Sequence, residues 1–354
     1  MRAEPLKLTL LVPGLVGSLP GGDTTTIIDE HCPGLARLLA RARGADSTGD
    51  SDSLRYRLLV YASSDMHDLP AAWLSYQFDT GRVPPDALLR ADPVHLRADQ
   101  TRLLLFAADQ LNITIDEAQA LCEAFNRHCA ADGLRLEWPT TVRGYLHLRT
   151  PSAVRTTPLE QAVGRSVDGL LPRGPDARRW HGFMNEVQML FHDHPVNRAR
   201  EARGQPMING LWLWGGGRPL NATASDWQRI WSDDPVLRGL AWLNGINGSG
   251  TPVHAGVWLG DVVDGHHLVT LEALRRPAAY ADTETWLSEL ERLEHDWFLP
   301  LARALWRGRL RELRLYPDDG RVYRVSRWQL LRVWKRSLGA NTSSSAEPLR
   351  SRDD

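Results

Sequence analysis

The sequence is poor in cysteine and contains no long apolar run. Its three cysteines, Cys32, Cys122 and Cys129, include no CxxC pair, which argues against a disulfide framework and against a zinc knuckle. No apolar segment is long enough to span a bilayer, and no pattern is typical of a signal peptide. We therefore expect a protein of the reducing cytoplasm, without a membrane as partner.

The sequence also lacks an excess of charge of either sign. Its 42 basic and 43 acidic residues give a net charge of -1, so no basic field favours nucleic acid as a partner. Lysine is almost absent, because only Lys7 and Lys335 accompany the arginines. Arginine can hold a phosphate through two parallel hydrogen bonds, although a GC-rich genome also explains an arginine excess.

Strand and helix patterns alternate along most of the 354 residues. This alternation predicts an α/β fold with a mainly parallel sheet and helices on both faces. Buried strands are predicted at 6–15, 55–65, 208–217, 255–260, 266–274 and 310–317. Helices are predicted at 32–44, closed by Gly44, at 180–192, at 233–245, and at 282–308 with Asp282 as N-cap.

A change of pattern near residue 85 predicts an inserted α+β subdomain at 85–180. Its predicted elements are a strand pair at 92–106, a helix at 114–133 and strands at 134–139 and 143–149. Thr114 and Glu117 form a capping box, and Gly133 is expected to end the helix. The predicted core comprises 1–84 and 181–337, and 338–354 is predicted to be a disordered tail.

A polar face of the helix predicted before Pro195 is the first candidate site. Asn185, Gln188 and His192 share this face, and neutral amides can orient a ligand without burying a charge. The competing interpretation is that these residues brace a neighbouring loop. His192 and His194 have a spacing that could bind zinc on a strand, but the helix ends there, so the rings should diverge.

The residues that follow this helix resemble the motif HPxN-x-x-R-x-x-x-G…N-x-x-W-L-W-G-x-G of the archaeal-type cofactor-independent phosphoglycerate mutases. The matching residues are His194, Pro195, Asn197, Arg200, Gly204, Asn209, Trp212, Leu213, Trp214, Gly215 and Gly217. The chain is still more similar to a proteobacterial offshoot of that family, the RpfE-type regulatory or mutase-like proteins.

This resemblance implies an alkaline-phosphatase-like core in which two divalent metals, such as Mn or Mg, activate a serine nucleophile. Ser64 sits in the nucleophile's place. The metal ligands differ, because Pro13 stands where the family has an Asp, and proline offers no ligand atom. The family's D-E-x-G-H cluster should fall at 270–286, which holds Glu272 and Asp282 but no His between them.

A third ligand position has changed as well, since Asp318 and Asp319 replace the family's Gly-Asp-His without the His. Metal affinity depends on the number and geometry of ligands, so we expect no metal site and no cofactor. His266 and His267 could substitute in principle, but adjacent side chains on a strand point to opposite faces.

Part of the family's substrate-facing frame remains: Arg97, Arg143, Asn197 and Arg200, with Ser64 in the nucleophile position. The resemblance implies arginines that once held a phosphate and can still hold an anion. The alternative is that each arginine pairs with a neighbouring carboxylate, Asp92 or Asp99 in the case of Arg97. Without metals or a nearby base, Ser64 is not expected to act as a nucleophile.

Three functions are compatible with this pattern. The first is a non-catalytic regulatory protein, a pseudoenzyme, that binds a phosphorylated or anionic small metabolite or a regulatory protein partner. The second is an active mutase-like phosphotransferase or phosphohydrolase with a rearranged site for two divalent metals. The third is a structural protein whose cleft is empty. The lost metal ligands favour the first function and leave enzymatic activity an open question.

Overall fold

The computed structural model describes residues 4–16, 18–19, 22–46, 69–99, 102–217, 222, 225–317 and 320–330. Its strands are β1 (Lys7–Leu11), β2 (Ser18–Leu19), β3 (Gly22–Asp23), β4 (Arg43–Asp46), β5 (Leu88–Asp99), β6 (Arg102–Ala107), β7 (Arg135–Thr140), β8 (Arg143–His147), β9 (Gly210–Trp214), β10 (Trp227–Trp231), β11 (Asn247–Ser249), β12 (His266–Thr270), β13 (Glu312–Tyr316) and β14 (Arg321–Ser326). The predicted strand at 55–65, with Ser64, and the predicted tail at 338–354 lie outside the described residues.

The helices span Thr24–His31, Pro33–Arg41, Ala71–Thr80, Ile115–His128, Leu159–Ala162, Ala177–His192, Pro195–Ala202, Pro235–Leu243, Ala255–Asp261, Arg275–Ala279, Thr283–Leu293, Leu299–Trp306 and Arg327–Leu330. A short 3-10 turn lies at Ala108–Gln110, and a π-helical turn at Glu294–Phe298 joins two of the helices. Within the described ranges, none of the helices is both long enough and apolar enough to cross a membrane.

The chain forms two compact units. The first unit comprises Met1–Leu58, Ser225–Asp233 and Ile246–Asp354, and the second comprises Leu59–Ala224 and Asp234–Gly245. The second unit is wider than the predicted insert at 85–180, because β9 forms hydrogen bonds with β5 and brings its flanking chain into the same unit. For the same reason the first unit contains less of the chain after residue 180 than was predicted for the core.

A seven-stranded sheet forms the centre of the first unit, in the order β11-β10-β12-β1-β13-β14-β4. The strands from β11 to β13 in this order are parallel, and β14 and β4 join antiparallel at one edge. Leu8 and Leu10 of the central strand β1 are fully buried. A strand that is buried on both faces of a parallel sheet is mostly apolar, so β1 was recognisable in the sequence. The predicted α/β fold with a mainly parallel sheet is confirmed.

A buried carboxylate connects two helices of the first unit. Glu294, in the π-helical turn, accepts hydrogen bonds from the N–H groups of Gly34 at 2.5 Å and Leu35 at 3.0 Å. These N–H groups open the helix Pro33–Arg41, whose N-cap residue Cys32 forms no side-chain cap. A Cβ at Gly34 would lie 2.6 Å from Glu294 Oε1, so this approach requires glycine. Burial raises the pKa of Glu294.

The sheet of the second unit is antiparallel, in the order β6-β5-β8-β7, with β9 also paired to β5. The long strand β5 has three partners because successive parts of it pair with β8, β9 and β6. The predicted capping box of Thr114 and Glu117 is present at the start of the helix Ile115–His128. That helix has Cys129 as its C-cap, and Gly133, with a φ of 68°, lies in the turn beyond.

One predicted strand is a helix. Segment 255–260 belongs to the helix Ala255–Asp261, in which Ala255, Trp258 and Leu259 are buried at helical spacing. The His254 ring caps this helix by accepting a hydrogen bond from the N–H of Val257 at 3.2 Å. A short apolar run with glycines fits a strand or a helix turn equally well, so the spacing of its apolar residues could not distinguish the two structures.

Two further predictions were wrong in placement. The strand predicted at 208–217 forms β9, but it belongs to the antiparallel sheet of the second unit and not to the parallel sheet. Its apolar sequence suggested a strand of the parallel sheet, yet β9 pairs antiparallel with β5 and packs against the helix Ala177–His192. Gly44 does not close the helix Pro33–Arg41 but lies in β4. The strands β10 and β11 were not predicted.

A close helix contact in the second unit gives a testable consequence. A Cβ at Gly239 would lie 2.2 Å from the carbonyl oxygen of Leu74, whereas a Cβ at Gly182 would meet no atom within 4 Å. Gly239→Ala should therefore reduce the free energy of unfolding by about 1–3 kcal/mol. Gly182→Ala, also in a helix, should instead raise it by about 0.5–1 kcal/mol. Urea denaturation measures both, and equal effects would contradict the close contact.

Candidate functional site

The carboxyl ends of the parallel strands in the first unit are the first candidate site, because ligands of such sheets bind there. Beyond β1 lies Pro13, which is buried. Gly14 then turns the chain with a φ of 78°, and its carbonyl accepts a hydrogen bond from the Trp286 indole at 2.8 Å. Packing therefore closes the end of the central strand, where the family resemblance implies a metal-binding carboxylate.

An ion pair follows β12. Glu272 Oε2 lies 2.8 Å from a guanidinium nitrogen of Arg275. If Glu272 is the Glu of the pattern D-E-x-G-H, the pattern's Asp is Leu271 and its His is Arg275. Leu271 is 4% exposed and packs in the apolar core. A guanidinium beside the carboxylate repels a divalent cation, so these residues do not fit a metal.

Asp282, the other carboxylate expected near the lost cluster, has a structural role. It caps the helix Thr283–Leu293 and accepts a hydrogen bond from the N–H of Thr285 at 3.1 Å, as predicted for an N-cap. Hydrogen bonding to Thr285 lowers the pKa of Asp282. The part of the chain that the structure describes contains no group of three or more His, Cys, Asp or Glu able to hold a metal ion. Asp318 and Asp319 lie outside that part.

Hydroxyl groups meet at the ends of β10 and β12, and sequence analysis missed them. The Thr270 hydroxyl donates to Ser232 Oγ at 2.7 Å, and the Thr251 hydroxyl donates to the Thr270 carbonyl at 3.2 Å. Asp233 accepts the N–H of Thr251 at 3.3 Å. These bonds hold neighbouring loops together. Their one sequence signal is the polar Ser-Asp-Asp that follows the aromatic strand β10.

His266 and His267 begin β12 and so lie at the end of that strand opposite to Glu272. The His266 ring lies 3.9 Å from the Trp227 ring, centroid to centroid, and its Nε2 is 3.0 Å from the Thr9 hydroxyl. The His267 Nε2 instead contacts the carbonyl oxygen of Val263 at 2.9 Å. The two rings have different partners, and both lie at the opposite end of β12 from the metal positions that the family resemblance implies.

Arg200, in the second unit, is buried and internally paired. Its NH1 donates to Glu117 Oε2 at 2.7 Å, and its Nε donates to the Pro206 carbonyl at 2.8 Å. NH2 donates to the carbonyl of Leu111. The expectation of a guanidinium that holds an anion is therefore not met, because Glu117 and backbone oxygens already surround it. Arg200 instead ties the capped start of the helix Ile115–His128 to a distant loop.

Asn197 is fully buried, and its amide braces the chain. Nδ2 donates to the carbonyl oxygens of Phe191 at 2.7 Å and Ile208 at 2.8 Å, and Oδ1 accepts the N–H of Ile208 at 2.8 Å. His194 caps the helix Pro195–Ala202 through its ring, which accepts the N–H of Val196 at 3.3 Å. The motif residues thus explain a local structure, in which no amide donor of Asn197 is left for a ligand.

The other two arginines of the predicted frame also have internal contacts. Arg143 binds Asp79 through two hydrogen bonds of 2.7 Å, so it follows the carboxylate-pairing alternative. Arg97 is exposed near the end of β5, with its guanidinium carbon 4.7 Å from the centroid of the Phe106 ring. Asp92, one expected partner of Arg97, is bound to Arg90 instead.

Asn185 and His192 are exposed on the helix Ala177–His192, and Gln188 is half-buried. The buried residues of this helix, Trp180, Val187 and Phe191, lie on its opposite face. An open surface differs from the partly enclosed environment that the ligand hypothesis required. Binding by these three residues stays a prediction, as does a role for Ser64, which lies outside the described residues.

A buried polar cluster around Arg90 is the main feature that sequence analysis missed. Arg90 is 4% exposed, and its guanidinium donates to both oxygens of Asp92 at 2.7–3.0 Å. The Trp214 indole donates to Asp92 Oδ2 at 2.7 Å, and Arg90 also donates to Ser75 Oγ at 3.2 Å. Burial opposes the charge of Arg90, but Asp92 raises its pKa overall. The signal was a charged pair, Arg-Ala-Asp, inside an apolar strand.

Comparisons with known proteins point to one family. Residues 82–197 match the family model of 2,3-bisphosphoglycerate-independent phosphoglycerate mutase. The protein of that name from Methanosarcina mazei is 24% identical over 259 residues, 69% of this chain and 61% of its own length. The one from Methanothrix thermoacetophila is 28% identical over 149 residues, 40% of this chain and 38% of its own. These matches support the cofactor-independent phosphoglycerate mutase family.

The likeness to solved structures concerns the fold. The PH0037 protein from Pyrococcus horikoshii is similar with a TM-score of 0.51 at 11% identity, over 92% of this chain and 88% of that one. This similarity is consistent with the alkaline-phosphatase-like core that the family resemblance implies. The chain spans 38% and 61% of the lengths of the two curated relatives, so their activity does not pass to it by the match alone.

The contacts of Arg200 predict a stability role. Arg200→Ala should reduce the free energy of unfolding by about 3–5 kcal/mol, because it breaks a buried ion pair with Glu117. Arg97→Ala is the matched control and should cost only about 0.5–1 kcal/mol, since the Arg97 guanidinium contacts an aromatic ring at an exposed position. Urea denaturation of both variants tests this difference, and a mild effect of Arg200→Ala would overturn it.

The environment of His266 predicts an acid-dependent stability. Burial, followed by the nearby Arg314, lowers the pKa of His266 from 6.5 to about 4. Between pH 6.5 and 4 the unfolded chain therefore binds a proton at His266 that the folded chain does not bind. The free energy of unfolding is unaffected by this residue above pH 6.5 and falls as the pH drops from 6.5 to 4. The loss should reach about 3 kcal/mol.

His266→Gln should flatten this part of the pH profile, measured by denaturant midpoints across the same range. An unchanged slope in His266→Gln would show that another group controls the acid loss.

Proposed function

We propose that this chain is a non-catalytic relative of the cofactor-independent phosphoglycerate mutases, of the RpfE-type regulatory kind, that works in the cytoplasm without divalent metals. The observation that carries the proposal is the ion pair of Glu272 with Arg275 at 2.8 Å, beyond β12. It places a fixed positive charge at the position where the family pattern has a histidine ligand.

The electrostatic argument concerns the carboxylate that remains. A metal site of this family holds two divalent cations through several carboxylates and imidazoles. Here the one retained carboxylate of the cluster, Glu272, is neutralised by Arg275, and Leu271 and Pro13 supply no ligand atom. Each lost ligand weakens binding, and a nearby like charge weakens it further.

The proposed ligand is a phosphorylated or anionic small molecule, and a regulatory protein partner is the second expectation. The support is the composition of the cationic residues, which are almost all arginines and therefore suited to hold phosphates bidentately. Arg143 and Arg200 do not carry this part of the proposal, because Asp79 and Glu117 already pair with them.

An active phosphotransferase or phosphohydrolase is the second candidate. The relatives from Methanosarcina mazei and Methanothrix thermoacetophila are named as mutases, and this favours retained activity. Such an enzyme needs a metal site rebuilt from other residues. Ser64, Asp318 and Asp319 would be its remaining polar candidates.

The test is a measurement of metal binding and turnover. We expect purified protein supplied with Mn²⁺ to bind no tight equivalents in calorimetry and to leave 3-phosphoglycerate unchanged. The Methanosarcina mazei relative under the same conditions is the positive control. About two tightly bound equivalents together with turnover would overturn the proposal and support the enzyme. Glu272→Ala should not change the calorimetric trace if this residue holds no metal.

A further inference from the structure

A cavity of about 600 Å³ lies in the second unit, within the chain segment that links β8 to the helix Ala177–His192. Its lining residues are Ala153, Arg155, Thr156, Thr157, Gln161, Gly169, Leu170, Leu171, Arg173, Gly174 and Pro175. This volume is in the range of small-molecule sites. The lining contains two arginines, and among these described residues there is no aspartate or glutamate.

The two arginines are held directly opposite each other. The N–H of Arg155 donates to the Arg173 carbonyl at 2.8 Å, and the N–H of Arg173 donates to the Arg155 carbonyl at 2.8 Å. This reciprocal pair is an isolated antiparallel bridge. Residues opposed in this way carry their side chains on one face, about 5 Å apart at their Cβ atoms. The backbone therefore starts the two arginine side chains from neighbouring positions on one face.

Two like charges directly opposite each other destabilise a bridge, unless something offsets their repulsion. Within the described residues, neither guanidinium has an ion-pair partner, in contrast to the internally paired Arg143 and Arg200. Arg173 is also oriented by a hydrogen bond from its side chain to the carbonyl of Gly169. Both arginines are exposed, and only the Arg173 side chain is held in this way. The pair is positively charged, with no ion-paired carboxylate among the described residues to neutralise it.

The rest of the cavity is suited to a polar ligand and is anchored to the sheet. Thr156 Oγ1 accepts the N–H of Gly215 at 3.0 Å, and the Thr157 carbonyl accepts the Trp212 indole N–H at 2.9 Å. Both anchors belong to β9 or follow it directly. The cavity wall is therefore attached to a buried strand, and the Gln161 amide adds a further donor near the two arginines.

We propose that this cavity is a binding site for a small phosphomonoester, whose dianionic phosphate lies between Arg155 and Arg173. Two guanidinium groups match a phosphate through paired, charge-assisted hydrogen bonds. The ligand class rests on the proposed function, while the location does not, because neither arginine belongs to the frame that the family resemblance implied. An anion here would also remove the repulsion within the bridge.

Titration with 3-phosphoglycerate and with inorganic phosphate, followed by calorimetry and thermal shift, tests the site. The wild-type chain should bind 3-phosphoglycerate saturably and melt at a higher temperature. Arg155→Ala and Arg173→Ala should each weaken binding by about tenfold or more, because each removes half of the clamp. Arg178→Ala removes an exposed charge outside the cavity and should leave the affinity unchanged.

The same variants without ligand separate binding from structure. Arg155→Ala alone should melt at or above the wild-type temperature, because it relieves repulsion; a lower temperature would assign Arg155 a structural role and overturn the site. If 3-phosphoglycerate binds all variants equally, the location is wrong, although the proposed anion-binding function stands. If the wild-type chain binds neither probe, the proposed binding site is wrong. The proposal that Glu272 and Arg275 hold no divalent metal is unaffected by that result.

Discussion

The desolvated ion pair of Arg90 and Asp92 is the constraint around which the second unit is arranged. Asp92 is fully buried and accepts hydrogen bonds from Arg90, from the Trp214 indole and from the N–H of Gly144. These donors come from β5, β9 and β8, so one carboxylate fixes three strands relative to each other. Removing one partner of a buried ion pair lowers the free energy of unfolding by about 3–5 kcal/mol. The register of these strands therefore depends on this ion pair as well as on apolar packing.

Neutralisation of charge within the chain also occurs at the positions that the family resemblance assigns to metal and substrate binding. Glu272 is paired with Arg275, Arg143 with Asp79, and Arg200 with Glu117. A charged group that already has an opposite charge beside it gains little from a ligand, because it would exchange one partner for another. Arg155 and Arg173 differ, since the backbone opposes them without a carboxylate. The difference between these two classes of arginine separates structural residues from a candidate binding site.

Sequence patterns correctly predicted those elements that are determined by residues close to one another in the sequence. The capping box of Thr114 and Glu117 was recognisable because its partners are three residues apart. The central strand was recognisable because burial on both faces makes it mostly apolar. The helix at 255–261 was missed because seven residues with two glycines carry too few positions to reveal a period. The sheet to which β9 belongs was also missed, since its partner β5 lies more than a hundred residues away.

The sequence gives the chemical type of every side chain, and this is enough to exclude some functions of a residue, such as metal binding by its side chain. Pro13 and Leu271 have no ligand atom in their side chains in any environment, so the sequence alone argues against the bimetal site that the family resemblance implies. The partner of a charged group is different, because it depends on distances across the fold. Arg200 meets Glu117 across 83 positions and Arg143 meets Asp79 across 64. The sequence offers 43 acidic residues as possible partners for these arginines, and the tertiary structure determines which of them lies within ion-pair distance.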